Sequence, residues 1–291
     1  MSISALLLVV LAALIHATWN LLAKRAASVG PAFVFAYNLV SVIVYAPWVI
    51  WLLLTRETIW SAAGIAGMVF SGLVHLAYSL CLQRGYQKAD LSVVYPVARG
   101  TGPTLATLGA ILVLGELPTA AMFAGLALVV AGIGLIATNG DLRAFSRPGG
   151  QDGVRWGGAT GGLIATYTVS DAYVVTVLGV APVVLDWFSN LLRFFLLLPV
   201  MIASPQTART AMRGVWPLAI AVGVLSPLSY ILVLAALTMG APLTVVAPVR
   251  EMSMMAGALM GMLILREPLR LWRLVGCAVL IAGVILLTTG G

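Results

Sequence analysis

Ten long apolar runs separated by short connections constrain this chain more than any other feature of its sequence. A helix needs about 20 apolar residues to cross the hydrocarbon layer of a membrane. Inside that layer only a helix or a closed barrel satisfies the backbone hydrogen bonds, and we expect helices here. The predicted spans lie at about 3–23, 32–54, 59–82, 91–114, 119–138, 156–178, 183–203, 215–239, 243–265 and 272–289.

The composition excludes a soluble protein of the same length. Hydrophobic residues make up 62% of the 291 positions and charged residues 9%, whereas a soluble domain carries about 25% charged residues. One soluble core would not hide this much apolar side chain, so much of the surface must face lipid. The net charge of +7 is scattered between apolar runs rather than gathered in a patch, and we predict no nucleic-acid partner.

The basic residues fall almost entirely on one side of the predicted spans. Twelve lie in the odd-numbered connections, and only Arg56 lies in an even-numbered one. Because basic connections are retained in the cytoplasm, the odd connections are predicted to be cytoplasmic and both termini to lie outside. The twelve are Lys24, Arg25, Arg84, Lys88, Arg143, Arg147, Arg155, Arg209, Arg213, Arg266, Arg270 and Arg273.

The chain also contains an internal repeat. The segment His75–Val97 aligns with Pro227–Val249, with 10 of 23 positions identical. After a one-residue slip the match continues to the last span of each half, so spans two to five correspond to spans seven to ten. Aligned pairs include Tyr78/Tyr230, Pro96/Pro248, Arg99/Arg250, Glu116/Glu267, Gly125/Gly276 and Gly132/Gly283.

Each copy of the repeat holds five predicted spans. An odd number forces the second copy to enter the membrane upside down relative to the first. We therefore predict an all-α integral membrane protein with ten transmembrane helices in two inverted five-helix repeats, residues 1–148 and 149–291. Inverted repeats with charges inside the membrane are typical of secondary transporters, whose substrate lies near the midplane between the halves.

Four segments resemble the EamA branch of the drug/metabolite transporter superfamily: HATWNLLAK at 16–24, VVYPVARG at 93–100, IATYTVSD at 164–171 and VVAPVREMS at 245–253. The glutamates that precede the last span of each half add to the resemblance, which covers nearly the whole chain. It implies ten helices and the movement of small metabolites, often amino acids or related compounds and often outward. One departure is Ala172, where this family more often has a glycine after the aspartate.

Arg99 and Arg250 are the strongest candidates for substrate contact. An ionisable group at the centre of a membrane helix costs at least about 2.5 kcal/mol, so it usually faces a partner or a wet cavity. A proline precedes each arginine by two or three positions and removes a backbone donor. The guanidinium would bind a carboxylate or phosphonate through two hydrogen bonds. The alternative is a structural ion pair with Asp171 or Glu251.

Asp171, Glu251 and His16 are the candidate proton carriers, and Glu251 is also a candidate for substrate contact. Asp186 is expected near the outer interface, where water would solvate it. The intramembrane arginines and carboxylates nearly cancel in charge, which favours a small zwitterion or weak acid over a dianion. The predicted cavity lies between the halves and is lined by spans one, three, four, six, eight and nine.

Further candidates for substrate contact carry an aromatic ring or a long polar side chain. They are Tyr78, Tyr230, Trp19, Asn20 and Arg193. Arg193 shares one stripe of the seventh span with Asp186 and Asn190. For His16 the alternative is a hydrogen-bonded packing residue.

Glycines recur seven residues apart in the fifth and tenth spans. They are Gly125 and Gly132 in one span, and Gly276 and Gly283 in the other. Small residues let membrane helices approach closely, so a close-packed seam is predicted here.

The sequence has no HExxH or GxSxG motif, and we predict a protein that is not an enzyme and uses no cofactor or metal. The predicted partners are a small-molecule substrate and the lipid bilayer, with proton coupling as an open alternative. A passive channel or lipid scramblase is the alternative to a carrier, and a membrane-embedded enzyme is a weaker one. The predicted location is a cell membrane, the inner membrane of a bacterium. The sequence leaves the oligomeric state open.

Overall fold

The computed structural model describes residues 1–26, 29–55, 60–89, 91–141, 143, 145, 149–264 and 270–290. Regular secondary structure within these ranges is helical. Some residues named above lie outside the described residues. They are Arg56, Arg147, Arg266, Glu267 and residue 148 at the predicted repeat boundary.

The helices of the first half are α1 (Ile3–Arg25), α2 (Pro31–Thr55), α3 (Ala62–Lys88), α4 (Leu91–Gly109) and α5 (Ala120–Thr138). A π-helical turn, Ala110–Leu114, extends α4. The helices of the second half are α6 (Gly150–Thr176), α7 (Pro182–Ala203), α8 (Pro205–Ala211), α9 (Trp216–Thr238), α10 (Leu243–Arg250), α11 (Met252–Ile264) and α12 (Leu271–Thr289). The short helix α8 lies in the seventh connection.

Nine helical stretches of the described chain are long and apolar enough to cross a membrane. They correspond to the predicted spans other than the sixth. Large apolar side chains such as Leu54 and Leu112 are more than four-fifths exposed, as expected of a surface that faces lipid. The predicted all-α membrane fold is confirmed.

The sixth predicted span, 156–178, forms α6, which is not among the nine apolar stretches. Polar residues such as Thr168 and Asp171 lower the hydropathy of α6, and its glycines contribute. Gly153, Gly157 and Gly161, four residues apart, lie so close to α4 that a Cβ on any of them would overlap an α4 residue. These small residues let α6 pack closely against α4.

Replacing Gly157 by alanine is expected to destabilise the protein by about 1–3 kcal/mol, because the new Cβ would lie 2.8 Å from the carbonyl oxygen of Val94. Gly158→Ala is the matched control, since nothing lies within 4 Å of a Cβ there and alanine favours a helix over glycine by about 1 kcal/mol. Thermal unfolding of both purified variants in one detergent measures the difference. Equal melting temperatures would contradict the close seam.

The last helices of the two halves, α5 and α12, pack backbone against backbone. A Cβ added at Gly125 would lie 2.8 Å from the carbonyl oxygen of Gly283, and one at Gly132 would lie 2.8 Å from that of Gly276. The predicted glycine seam is thus present. Because residue numbers rise along one helix as they fall along the other, the two helices are antiparallel, which is the geometry expected of inverted repeats.

The contacts that α3 and α9 make with the opposite half are reciprocal as well. In the first half α3 packs against α6 and α7, and in the second half α9 packs against α1 and α2. By the sequence alignment α3 corresponds to α9, and α2 to α7. Each half therefore holds the other through the same helices, and the interior between them is bounded by both halves.

The ninth predicted span consists of two helices rather than one. Helix α10 ends at Arg250 and α11 begins at Met252, with the N–H of Glu251 bonded to the carbonyl of Pro248 at 3.0 Å. Proline lacks the N–H that would continue the helical ladder through this region. Helix α4 carries the aligned Pro96 and is continuous, so the break is specific to the second half.

Candidate functional site

Arg99, Arg250 and Glu251 meet in the interior, where α4 lies against the break between α10 and α11. All three are buried, and Glu251 is completely so. Nη1 of Arg99 lies 3.4 Å and 3.3 Å from the two carboxylate oxygens of Glu251. Nε of Arg250 lies 4.0 Å from the same carboxylate. The ion pair of Arg99 with Glu251 therefore links the two halves.

Arg99 has two further partners. Its Nη2 lies 2.9 Å from Nε2 of His16 on α1, and because arginine only donates, the imidazole accepts and is uncharged in this arrangement. Cζ of Arg99 lies 5.5 Å from the centroid of the Tyr95 ring, within the range of a cation–π contact. Three groups thus hold Arg99, and the ion pair that was the alternative to substrate contact forms with Glu251 rather than Asp171.

The guanidinium of Arg250 is much less satisfied. Its Nε is buried, and no described group accepts a hydrogen bond from it. Leaving a buried charged donor without an acceptor is costly, so such a group needs an explanation. Arg99 and Arg250 face the single charge of Glu251, so the cluster carries one net positive charge. An anionic group of a ligand would satisfy both the charge and the donor.

A second cluster surrounds Asp171 on α6, which is completely buried. Its Oδ2 accepts a hydrogen bond from the hydroxyl of Tyr230 on α9 at 2.6 Å and lies 3.2 Å from Nε2 of His75 on α3. The His75 ring stacks on Tyr167, with centroids 4.0 Å apart, and Tyr78 meets Tyr167 edge-on at 5.7 Å. A carboxylate is thus enclosed by aromatic rings from three helices.

Helix α9 joins the two clusters. Nε1 of Trp19 donates to the hydroxyl of Ser229 at 3.2 Å, and the Trp19 ring lies edge-on to His16 at 4.8 Å. The next residue, Tyr230, bonds to Asp171. The clusters draw on α1, α3, α4, α6, α9 and the break between α10 and α11, which are the six spans predicted to line the central site.

Two predicted contact residues bond within their own helices. Arg193 on α7 donates to Oδ1 of Asn190 at 2.8 Å and to the carbonyl of Ser189 at 3.3 Å. Asn20 on α1 donates to the carbonyl of His16 at 3.0 Å. These bonds fix both side chains along their own backbones, and substrate contact by either stays a prediction.

The expectation that water solvates Asp186 is wrong. Asp186 is buried, and its Oδ2 accepts a hydrogen bond from Nδ2 of Asn190 at 2.8 Å. Asn190 in turn accepts a hydrogen bond from Arg193. The polar stripe of α7 is therefore a chain of hydrogen bonds that takes the place of water around Asp186. A buried carboxylate is tolerated where such partners are at hand.

Sequence reasoning missed His75, Tyr167 and Tyr95. A spacing signal was available for all three. Tyr167 precedes Asp171 by four residues and His75 precedes Tyr78 by three, so each lies on the helix face of a residue already singled out. Tyr95 stands four residues before Arg99 and gave the same signal.

The sequence profile of the EamA-like transporter family matches residues 3–138, which form helices α1 to α5. One crystal structure, at 18% identity, superposes with a TM-score of 0.76 over 99% of this chain and 99% of the other. At this identity the likeness shows a shared fold. No curated protein sequence matches the chain significantly. Together with the nine apolar helices, the family match makes this a multi-pass membrane protein.

Proposed function

We propose that this chain is a secondary active transporter, because residues 3–138 match the profile of the EamA-like transporter family. Its proposed substrate is a small zwitterion or weak acid, such as an amino acid or a related organic acid. The observation that carries the proposal is the buried Nε of Arg250, which has no acceptor among the described residues in a cluster with one net positive charge.

In the proposed binding mode, Arg250 donates to the carboxylate or phosphonate of the substrate. Glu251 is already bonded to Arg99, so its charge is largely compensated. Asp171 is then the carboxylate available for the substrate amine or for a proton. The rings of Tyr78, Tyr167 and Tyr230 pack together on the Asp171 side and would contact the rest of a small ligand.

Alternating access would proceed by rocking of one half against the other about this site. Both clusters contain residues from both halves: Arg99 bonds Glu251, and His75 bonds Asp171. A relative movement of the halves therefore changes the binding groups themselves. The resemblance to EamA proteins favours outward transport, and we propose export from the cytoplasm across a bacterial inner membrane.

The test uses the purified protein in liposomes. A thermal-shift screen against amino acids, organic acids and phosphonates identifies a ligand, and counterflow of that ligand is then measured. A carrier accumulates labelled substrate in exchange for unlabelled substrate, whereas a passive channel or a scramblase does not. Failure of every compound class to shift the melting temperature, or flux without counterflow, would contradict the proposal.

Replacing Asp171 by asparagine is expected to abolish accumulation driven by a pH gradient and to preserve counterflow. The reason is that a carboxamide accepts hydrogen bonds from Tyr230 and His75 but exchanges no proton. Asp186→Asn is the control, because Asp186 is a buried carboxylate that belongs to the separate chain of hydrogen bonds along α7. Both activities are measured in the same liposomes. Accumulation that persists in Asp171→Asn would assign the coupling proton to another group.

An impermeant thiol reagent is expected to spare a cysteine at position 151 in intact cells and to label one at position 2. The twelve-to-one bias of basic residues puts the 139–155 connection in the cytoplasm and the termini outside. The variants Gln151→Cys and Ser2→Cys are made with Cys81 and Cys277 replaced by serine. Permeabilised cells, in which both positions react, provide the control. Labelling of position 151 in intact cells would contradict the predicted topology.

A further inference from the structure

Glu116, in the connection between α4 and α5, bonds to the start of α10 in the other half. Its Oε1 accepts a hydrogen bond from the N–H of Leu243 at 2.6 Å, and its Oε2 accepts one from Thr244 at 2.8 Å. Leu243 and Thr244 are the first two residues of α10, and N–H groups at this position have no partner within the helix. The carboxylate also compensates the positive end of the helix dipole.

Helix α10 has no cap of its own. The residue at its N-cap position is Pro242, whose side chain has no acceptor and makes no bond to the helix. Serine, threonine, aspartate or asparagine normally caps a helix from this position. Here the cap is supplied by a residue 127 positions away in sequence.

The backbone around Glu116 is fixed to α4. Gly115 has a φ of 68°, a conformation that side-chain-bearing residues rarely adopt, and it closes the π-helical turn. The N–H of Glu116 then bonds to the carbonyl of Ala110 at 3.3 Å. The backbone that carries the Glu116 carboxylate is therefore anchored to α4, the helix that carries Arg99.

Helix α10 is only eight residues long. Arg250 is its last residue and Glu251 follows it. Glu116 therefore bonds to the first turn of α10, and the charged cluster lies at the other end of the same helix. Beside Glu116 is a depression of about 310 Å³, also lined by Ala172, Thr176, Leu237 and Pro242. Ala172 directly follows Asp171, so this depression approaches the second cluster.

We infer that Glu116 is a positioning residue that latches α10 to the first half and closes the path from this depression to the buried clusters. The inference rests on the proposed function, because alternating access requires one end of the protein to close while the other opens. The latch holds α10 in register with α4 and releases when this end opens. The competing explanation is a helix cap that stabilises α10 and has no part in opening.

A local cap separates the two explanations. The Pro242 backbone, with φ −71° and ψ 140°, has the extended conformation typical of a capping residue. In the double variant Glu116→Ala/Pro242→Asp, the new aspartate caps α10 from within the second half. It restores the cap without restoring the link between halves. The single variant Pro242→Asp is the control, and Glu116→Gln serves as a second test variant if Glu116→Ala does not fold.

The reporter is the rate at which a thiol reagent labels Ala172→Cys, with Cys81 and Cys277 replaced by serine, in purified protein without substrate. Glu116→Ala is expected to lower the melting temperature and raise the labelling rate by about tenfold, the shift that corresponds to loss of one cap. The double variant is expected to recover the melting temperature and keep the fast labelling. Unchanged labelling in Glu116→Ala and Glu116→Gln, or slow labelling in the double variant, would overturn the latch.

Transport kinetics provide a second readout that a simple cap would not move. Loss of the latch in the double variant is expected to change KM and kcat by different factors, since the balance of open and closed states shifts. Failure of the proposed function is distinguishable, because it appears as absent counterflow in the unsubstituted protein. Failure of the latch appears as unchanged labelling, which needs no substrate.

Discussion

Replacing Arg250 by lysine is expected to lower the apparent affinity for substrate by about ten- to a hundredfold, with little change in melting temperature. A hydrogen bond to a charged group contributes about 1.5–3 kcal/mol, and each 1.4 kcal/mol corresponds to about tenfold in affinity. Lysine keeps the charge and loses the planar fork that binds a carboxylate through two bonds. Stability should survive because the Nε of Arg250 has no hydrogen bond to lose in the protein.

Two other arginines provide the comparison. Arg193→Lys changes a side chain bonded along α7, and its effect on affinity tests the separate prediction that Arg193 contacts substrate. Arg99→Gln removes the partner of Glu251 and is expected to lower the melting temperature more than the affinity of the surviving protein. Affinity and melting temperature are measured on the same preparations. Normal affinity in Arg250→Lys would end the assignment of this guanidinium as the anion contact.

Replacing Glu251 by glutamine is expected to destabilise the protein by about 3–5 kcal/mol, the usual cost of removing one partner of a buried ion pair. Glu251 is the only carboxylate within 4 Å of either arginine in the described structure. Its loss leaves Arg99 and Arg250 facing each other without compensation. The measurement is reversible unfolding in detergent, with the unsubstituted protein as reference.

A second substitution distinguishes charge imbalance from loss of packing. The double variant Arg99→Met/Glu251→Gln removes one of the two uncompensated charges and is expected to recover part of the lost stability, which a double-mutant cycle quantifies. An anionic substrate is expected to raise the melting temperature of Glu251→Gln more than that of the unsubstituted protein, since it supplies the missing charge. A double variant less stable than Glu251→Gln would mean that packing, not charge, dominates.

Hydrophobic runs carry most of the information about this fold, because lipid imposes one length and one backbone structure on each span. The same rule explains why charges stood out: Arg99, Asp171 and Glu251 interrupt apolar runs. Their pairing was only partly predictable, since the sequence offered both Asp171 and Glu251 as partners for Arg99 and did not point to His75. Spacing along a helix tells which residues share a face, but not how a helix is rotated toward its neighbours, so Arg99 with Glu251 and Asp171 with His75 emerge only from the packing.

The repeat also misled in two places. His75 aligns with Pro227. The repeat alignment therefore pointed to Tyr78 and Tyr230 but not to His75, which links α3 to Asp171 on α6. The aligned prolines Pro96 and Pro248 predict similar behaviour, yet only the helix with Pro248 breaks at the site. A proline lowers the cost of a break, and the tertiary surroundings decide whether one forms.

The seam between α5 and α12 has a consequence for how such a chain arises. Each helix presents the same two glycine positions to the other, and a surface that is complementary to itself is what a two-fold homodimer requires. A single five-helix half with this seam would carry its own dimerisation surface. The antiparallel pairing adds a condition, because two such copies would have to insert into the membrane in opposite directions. Fusion into one chain removes that condition, since the first half dictates the orientation of the second.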